Sequence, residues 1–137
     1  MSPRILIIDD HEIVREGIRT LLSRLRPDWE ICGEGASGAE AVAGVQSLNP
    51  DLVILDLTMP QMSGLEAASY LVMERPDTRI LIFTMHDAPA LEREVREAGA
   101  RGYVLKSQAA RDLVAAIEQL LSGRAFYGAP QLAANAD

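Results

Sequence analysis

The stretch Leu52-Val53-Ile54-Leu55-Asp56-Leu57-Thr58-Met59-Pro60 decides the fold of this chain. Its first four residues are apolar without alternation, which is typical of a strand buried on both faces of a parallel sheet. A carboxylate, Asp56, follows this run directly, and Met59-Pro60 marks a turn. Open parallel sheets bind ligands at the carboxyl ends of their strands. Asp56 therefore occupies the position where such a sheet would form its site.

Three further apolar runs also end in a polar residue. Asp9 and Asp10 follow residues 5–8, Thr84 follows residues 80–83, and Lys106 follows residues 103–105. Parallel strands present their carboxyl ends at one edge of the sheet, so four separate strands would direct these side chains to one place. The pattern predicts a single polar site built from strand ends.

The chain alternates between strand and helix patterns five times. Strands are predicted at residues 4–8, 29–36, 52–56, 79–84 and 101–105, and helices at 12–25, 38–48, 64–74, 89–98 and 109–121. Local signals support these boundaries, because Pro27 ends the first helix, while Pro89 and Gly99 bracket the fourth. Strands that alternate with helices of this length predict an α/β fold, with a five-stranded parallel sheet covered by helices on both faces.

Composition indicates one globular domain and argues against two classes of function. The 137 residues are 48% hydrophobic and 24% charged, with a net charge of −7 and a pI near 4.8. An acidic chain of this size has no electrostatic means of gripping a phosphate backbone, so this segment is not expected to bind nucleic acid. No apolar run approaches the roughly 18 residues of a membrane span, so no membrane association is expected.

Cysteine usage and the two ends of the chain suggest a location and a boundary. A single cysteine, Cys32, excludes an internal disulfide and fits a reducing compartment. The apolar run near the N-terminus is too short for a signal peptide, so the expected location is cytoplasmic. The composition shifts after Gly123, which predicts one domain over residues 1–123 and a linker or tail over 124–137. Fourteen residues are too few for a DNA-binding domain.

The acidic residues at two strand ends predict a cation site. Asp9, Asp10 and Asp56 would place three carboxylates in one crevice. Two such charges at roughly 4 Å repel by about 4 kcal/mol in a partly shielded site. Hard oxygen ligands with room for water suit Mg²⁺. The alternative is that Asp9 or Asp10 merely caps the helix that begins near His11.

The remaining strand-end residues suggest phosphoryl chemistry. Asp56 could attack a phosphoryl group once a metal screens their mutual repulsion, giving an acyl phosphate. Lys106 would supply positive charge to the phosphoryl oxygens and Thr84 a hydroxyl donor. Each residue also has an ordinary structural explanation: Asp56 as a turn residue, Lys106 as a solvated surface lysine and Thr84 as the end of a strand. Their joint placement favours the site.

With these residues in place, the chain from Arg4 to about Gly123 resembles the receiver domain of two-component response regulators. The matching segments are residues 7–11, 55–64, 83–85 and 102–106. Residues 85–87 and 105–107 are similar to the NarL/LuxR-type subfamily, whose members usually carry a C-terminal helix-turn-helix. The resemblance implies a doubly wound, flavodoxin-like sheet with strand order 2-1-3-4-5.

The resemblance also implies a role for each acidic residue. Asp56 would be the phosphoacceptor and a metal ligand. Asp10 would bind Mg²⁺ directly, Asp9 would act mainly through water, and the backbone carbonyl of Thr58 would complete the metal site. On this basis the expected cofactor is Mg²⁺.

A switch is implied at three further positions. Thr84 and Lys106 would contact the phosphoryl group, and Tyr103 would be the switch aromatic that fills the space vacated when Thr84 moves. The readout would be the surface of the fourth helix, fifth strand and fifth helix, roughly residues 89–121. The sequence departs from many receivers at Ser107, where they have proline, and a non-proline cis bond there would cost about 2.5–4 kcal/mol.

The expected partners follow from the same resemblance, and two alternatives stay open. A sensor histidine kinase would donate the phosphoryl group, homodimers could form on phosphorylation, and a longer protein could bind DNA through a missing C-terminal domain. A phosphohydrolase of the haloacid-dehalogenase type also uses a strand-end aspartate and Mg²⁺, but it needs a second aspartate where this chain has Thr58. A stand-alone receiver that signals only by protein contact is the other alternative.

Overall fold

The computed structural model describes residues 2–127, which form a six-stranded, all-parallel sheet with strand order β2-β1-β3-β4-β5-β6. The strands are β1 Arg4–Ile8, β2 Glu30–Gly35, β3 Leu52–Asp56, β4 Arg79–Thr84, β5 Gly102–Leu105 and β6 Phe126–Tyr127. The helices are α1 Glu12–Leu25, α2 Gly38–Leu48, α3 Gly64–Glu74, α4 Leu91–Glu97 and α5 Ala109–Leu121, with a 3-10 turn at Lys106–Gln108.

Helices cover both faces of the sheet, which gives two separate cores. Side chains of α2, α3 and α4 pack on one face, and side chains of α1 and α5 pack on the other. Successive strand residues point to opposite faces, so in β3 Val53 and Leu55 enter the first core while Leu52 and Ile54 enter the second. Burial on both sides explains why the central strands are apolar at residues 5–8, 52–55 and 80–83 and carry polar residues only at their ends.

The structure confirms the predicted α/β class and the strand order 2-1-3-4-5. Most helix boundaries match the sequence-based expectation, although α4 is shorter than predicted, at Leu91–Glu97. No helix among residues 2–127 combines the length and apolar character needed to cross a membrane. Within the same range every peptide bond is trans, including the bond between Lys106 and Ser107.

One strand was not predicted. Phe126–Tyr127 form β6, which pairs with β5 inside the segment that the sequence suggested to be a linker or tail. Two residues are too short to carry a strand pattern, so periodicity could not reveal them. The remainder of that segment, residues 128–137, lies outside the described residues.

Candidate functional site

Three carboxylates meet at the carboxyl edge of the sheet. β1 and β3 are adjacent and in register, so Asp9, Asp10 and Asp56 emerge side by side from the ends of the two strands. One ligand atom from each of these residues and one from His11 lie within 4.8 Å of one another. Asp9 is 1% exposed and Asp56 3% exposed, whereas Asp10 is only partly buried. The site thus concentrates negative charge where solvent screening is weak.

Lys106 brings a positive charge into this cluster. Its Nζ lies 2.8 Å from Asp9 Oδ2 and 3.2 Å from Asp56 Oδ1, and its side chain is 12% exposed. The ammonium group also lies 5.8 Å from the centre of the Phe83 ring. The lysine therefore bridges two of the three carboxylates, and a net negative charge remains.

The ionisation of Asp56 and Lys106 reflects this environment. Burial raises the pKa of Asp56, the nearby charge of Asp9 raises it further, and the attraction to Lys106 offsets only part of the effect. Burial alone would lower the pKa of Lys106. Its contacts with Asp9 and Asp56 outweigh that effect, and the pKa is raised. Lys106 therefore stays protonated. Ionisation of Asp56 is unfavourable in this cluster, and an additional positive charge in the site would favour it.

Two oxygen atoms of the cluster suit a metal ion. Asp9 Oδ2 and Asp10 Oδ1 are buried and have no hydrogen-bond partner among residues 2–127. The approach of Lys106 to Asp9 Oδ2 is an ion pair without the angles of a hydrogen bond. Carboxylate oxygens without a well-aligned hydrogen-bond donor can accept a further cation, and hard oxygen atoms are the ligands that Mg²⁺ prefers. The residues present therefore fit the expected cation.

The loop after β3 is held against the site by a glycine. A Cβ atom at Gly64 would lie 2.2 Å from the carbonyl oxygen of Asp56, so only glycine allows α3 to begin there. The Gly64 amide donates a hydrogen bond to the Leu57 carbonyl at 2.7 Å. Ser63 and Glu66 complete a capping box at the start of α3. These contacts fix the loop that carries Thr58, whose amide lies 3.5 Å from Asp56 Oδ1.

The site opens to solvent through a small pocket of about 160 Å³. Its lining residues are Asp10, His11, Asp56, Thr58, Met85, His86 and Lys106. Thr84 does not line this pocket: its side chain is buried, and its Oγ1 accepts a hydrogen bond of 3.1 Å from the His86 amide. Thr84 therefore lies beneath the pocket wall, with its hydroxyl engaged by the loop that follows β4.

Tyr103 stands apart from the pocket. It lies on β5, half buried against the core on the α4 side of the sheet. Burial raises the pKa of its hydroxyl, and the charges of Asp87 and Glu92 raise it further. The structure thus brings the predicted metal-site residues and Lys106 together, places Thr84 next to them, and leaves Tyr103 on a neighbouring strand.

Sequence reasoning assigned no role to His11, which the structure places in the acidic cluster. Its Nδ1 lies 3.3 Å from Asp9 Oδ1 and 3.1 Å from Asp10 Oδ1, and its backbone amide donates to Asp9 Oδ1 at 2.9 Å. The one feature of the sequence that pointed to such a role is the position of His11 directly after two acidic residues. His11 therefore borders the same oxygen atoms that a metal would use.

A larger groove, of about 630 Å³, adjoins the site between α1 and α5. It is lined mainly by apolar residues of both helices and reaches Lys106 and Phe83. Ile13, in the first turn of α1, is 81% exposed at its margin. An open apolar groove beside the acidic pocket is suited to contact with another protein.

The fold and the site define a class: a doubly wound α/β domain whose buried aspartates meet one lysine at the carboxyl ends of its strands. The chain belongs to the response regulator receiver domain family, which it matches over residues 5–118. It is 36% identical to the transcriptional regulatory protein DegU of Brevibacillus brevis over 123 residues, which cover 90% of this chain.

Solved structures agree with the sequence match. A two-component response regulator of the LuxR family from Aurantimonas sp. SI85-9A1 superimposes with a TM-score of 0.87 at 44% identity, covering 92% of this chain and 89% of that one. The isolated REC domain of RcsB from Salmonella enterica serovar Typhimurium, solved with the phosphomimetic BeF3⁻, gives a TM-score of 0.85 at 27% identity and covers 97% of both chains.

The matched region is only part of some relatives. The chain spans 52% of the length of DegU and 60% of the length of the response regulator VraR from Staphylococcus aureus.

Proposed function

We propose that this chain is a phosphorylation-controlled switch that accepts a phosphoryl group on Asp56 from the phosphohistidine of a sensor kinase. The observation that carries the proposal is the position of Asp56, which lies in a pocket between a partly buried cation, Lys106, and the carboxylates of Asp9 and Asp10. An aspartate in this setting can approach a phosphoryl group only when positive charge balances the cluster. That requirement favours a metal-assisted transfer.

Mg²⁺ is the cation that this donor set suits best. Asp10, Asp56 and the Thr58 carbonyl would bind it directly, and Asp9 would act through water. The ion would screen the repulsion between the carboxylates and the incoming phosphoryl oxygens. Lys106 would add a fixed positive charge that exchanges its contact with Asp56 for one with the phosphoryl group.

The switch would begin at Thr84. Its hydroxyl is engaged by the His86 amide at 3.1 Å, so a contact with the phosphoryl group requires Thr84 and the loop at His86 to rearrange together. Tyr103 would then fill the vacated space, and the surface formed by α4, β5 and α5 would change. Such a change shifts an existing equilibrium between two conformations and does not require a new fold.

The kinase would dock on the groove between α1 and α5. This groove adjoins the acidic pocket at Lys106, and Ile13 exposes apolar surface at the margin of the groove. A docked partner would bring its phosphohistidine to the open side of the pocket.

The longer protein would control transcription through a C-terminal DNA-binding domain, with homodimers forming on phosphorylation. The similarity to DegU, a transcriptional regulatory protein almost twice as long as the matched region, supports this reading. A receiver that signals by protein contact alone remains the alternative at the level of the full protein. A haloacid-dehalogenase-type phosphohydrolase is disfavoured, because the second position after Asp56 carries Thr58 and not an acidic side chain.

The test is phosphorylation by a small phosphodonor in the presence of Mg²⁺. Acetyl phosphate should add one phosphoryl group that is labile to base and to hydroxylamine, as measured by intact-protein mass spectrometry. Asp56→Asn should abolish the addition, whereas Asp77→Asn, which changes an exposed aspartate far from the pocket, should leave it unchanged. Phosphorylation of the Asp56→Asn variant at the wild-type rate would refute the assignment.

A further inference from the structure

Strand β6 ties the chain that follows α5 to the edge of the sheet beside Tyr103. In the β5–β6 ladder, Gly102 is opposite Phe126 and Tyr103 is opposite Tyr127. The Phe126 amide donates to the Arg101 carbonyl at 3.0 Å. Two residues would not form a stable strand alone, so other contacts must hold β6 in place.

Those contacts come from the side chain of Tyr127. Its hydroxyl donates to the Ala100 carbonyl at 3.1 Å, and the guanidinium carbon of Arg96 lies 3.9 Å from the centre of its ring. Arg96 is itself held by an ion pair with Glu92 at 2.9 Å. The rings of Tyr103 and Tyr127 are tilted by 54° with their centres 6.4 Å apart, a favourable aromatic geometry. Tyr127 is therefore packed between α4 and Tyr103.

Gly102 makes this arrangement possible. A Cβ atom at this position would lie 2.1 Å from the Phe126 carbonyl oxygen, so any other residue would push β6 away from β5. Gly102 therefore leaves room for β6 to pair with the start of β5. The next residue of β5 is Tyr103, the expected switch residue.

We propose that Tyr127 is a positioning residue that couples the conformation of Tyr103 to the docking of β6. With Tyr103 in the position seen here, Tyr127 has an aromatic neighbour and β6 is held. When Tyr103 moves toward the phosphorylated site, that contact is lost and β6 loosens. A change in the pocket is then transmitted through β6, at the edge of the sheet, to the chain that follows residue 127. This inference rests on the proposed phosphorylation switch.

Coupling of this kind must act in both directions. If activation loosens β6, then a variant with a loosened β6 must favour activation. One aromatic pair is worth enough to change an equilibrium by about two- to tenfold. Tyr127→Ala should therefore bind beryllofluoride, a mimic of the phosphoryl group, about two- to tenfold more tightly in the presence of Mg²⁺.

The experiment combines calorimetric titration of beryllofluoride with hydrogen exchange of residues 122–127, both in Mg²⁺. In the wild type, beryllofluoride should speed exchange in this segment several-fold. In Tyr127→Ala, exchange should be fast from the start and beryllofluoride should add no further change. Tyr127→Phe keeps the ring that faces Tyr103 and Arg96, so it should restore the response. Tyr70→Ala, an exposed tyrosine on α3, is the matched control and should behave as the wild type.

The outcomes separate the coupling from the proposed function. Beryllofluoride that binds to the wild type without changing exchange in residues 122–127 would overturn the coupling alone. If Tyr127→Ala binds beryllofluoride with the wild-type affinity, Tyr127 only holds β6 in place, and the coupling is likewise overturned. Failure of the wild type to bind beryllofluoride would overturn the switch and the coupling together.

Discussion

Replacement of Asp10 by asparagine should stabilise the protein in metal-free buffer, whereas the same replacement of Asp9 should not. Asp10 lies within 4.8 Å of two other carboxylates, and no ion pair joins it to Lys106 among the described residues. At 4.8 Å, the upper limit of these separations, and an effective dielectric constant near 20, each repulsion amounts to at least about 3.5 kcal/mol. Asp10 is partly exposed, which weakens these interactions. We therefore expect Asp10→Asn to raise the free energy of unfolding by about 1–3 kcal/mol.

Asp9 experiences the same repulsion but also a strong attraction. Its Oδ2 lies 2.8 Å from Lys106 Nζ, a contact worth about 6 kcal/mol on the same scale. Neutralising Asp9 relieves the repulsion and loses this attraction, and the two changes nearly cancel. The free energy of unfolding of Asp9→Asn should stay within about 1 kcal/mol of the wild type.

Urea unfolding followed by the fluorescence of Trp29, the sole tryptophan and a core residue, measures both effects. With EDTA, Asp10→Asn should unfold at higher urea than the wild type. With saturating Mg²⁺ the wild type should gain the binding free energy, and Asp10→Asn should gain much less. Asp77→Asn is the control. Equal stabilisation of the Asp9 and Asp10 variants, or equal Mg²⁺ gains in Asp10→Asn and the wild type, would refute the charge assignment.

Three further predictions concern Asp56, His86 and Gly64. The pKa of Asp56 is raised in the folded protein, so its contribution to stability is present below the ordinary value of 3.8 and is lost as the pH rises through the folded-state value. The free energy of unfolding of the wild type relative to Asp56→Asn should therefore fall as the pH rises above 3.8, and urea titrations that show no such trend would contradict this. His86→Ala should shorten the phosphoryl lifetime several-fold with little change in stability, because the ring at the pocket mouth would obstruct water; an autodephosphorylation assay that finds a longer lifetime would show that His86 orients the water. Gly64→Ala should lower the free energy of unfolding by about 1–3 kcal/mol and slow phosphorylation, because the added Cβ would collide with the Asp56 carbonyl. The control is Gly17→Ala, where the added Cβ meets open space, and it should not destabilise the protein in the same urea titration.

The sequence predicted the main elements because each central strand is an uninterrupted apolar run. Residues 5–8, 52–55 and 80–83 must be buried on both faces, and the helices between them leave a parallel sheet as the consistent solution. β6 was not predicted, because it has no such apolar run. Its two residues carry no periodicity, and their position depends on the missing side chain of Gly102 and on contacts of Tyr127 with α4.

The site was predictable as a set of residues but not as a set of contacts. Strand ends placed Asp9, Asp10, Asp56 and Lys106 together, because that placement follows from topology alone. Which carboxylate the lysine would pair with depends on the direction in which each neighbour points after the strand ends. Likewise, the strand pattern located Thr84 without indicating that its hydroxyl would be buried and bonded to the backbone of the next loop.

Lys106 is the sole lysine of this chain, and the other twelve of its thirteen lysine and arginine residues are arginines. The one primary amine on a side chain therefore lies inside the acidic pocket, 2.8 Å from Asp9 and 3.2 Å from Asp56. Protein produced with isotope-labelled lysine would give a single side-chain amine signal in an NMR spectrum. That signal would report directly on the arrival of a metal ion or a phosphoryl group, with no background from the rest of the surface.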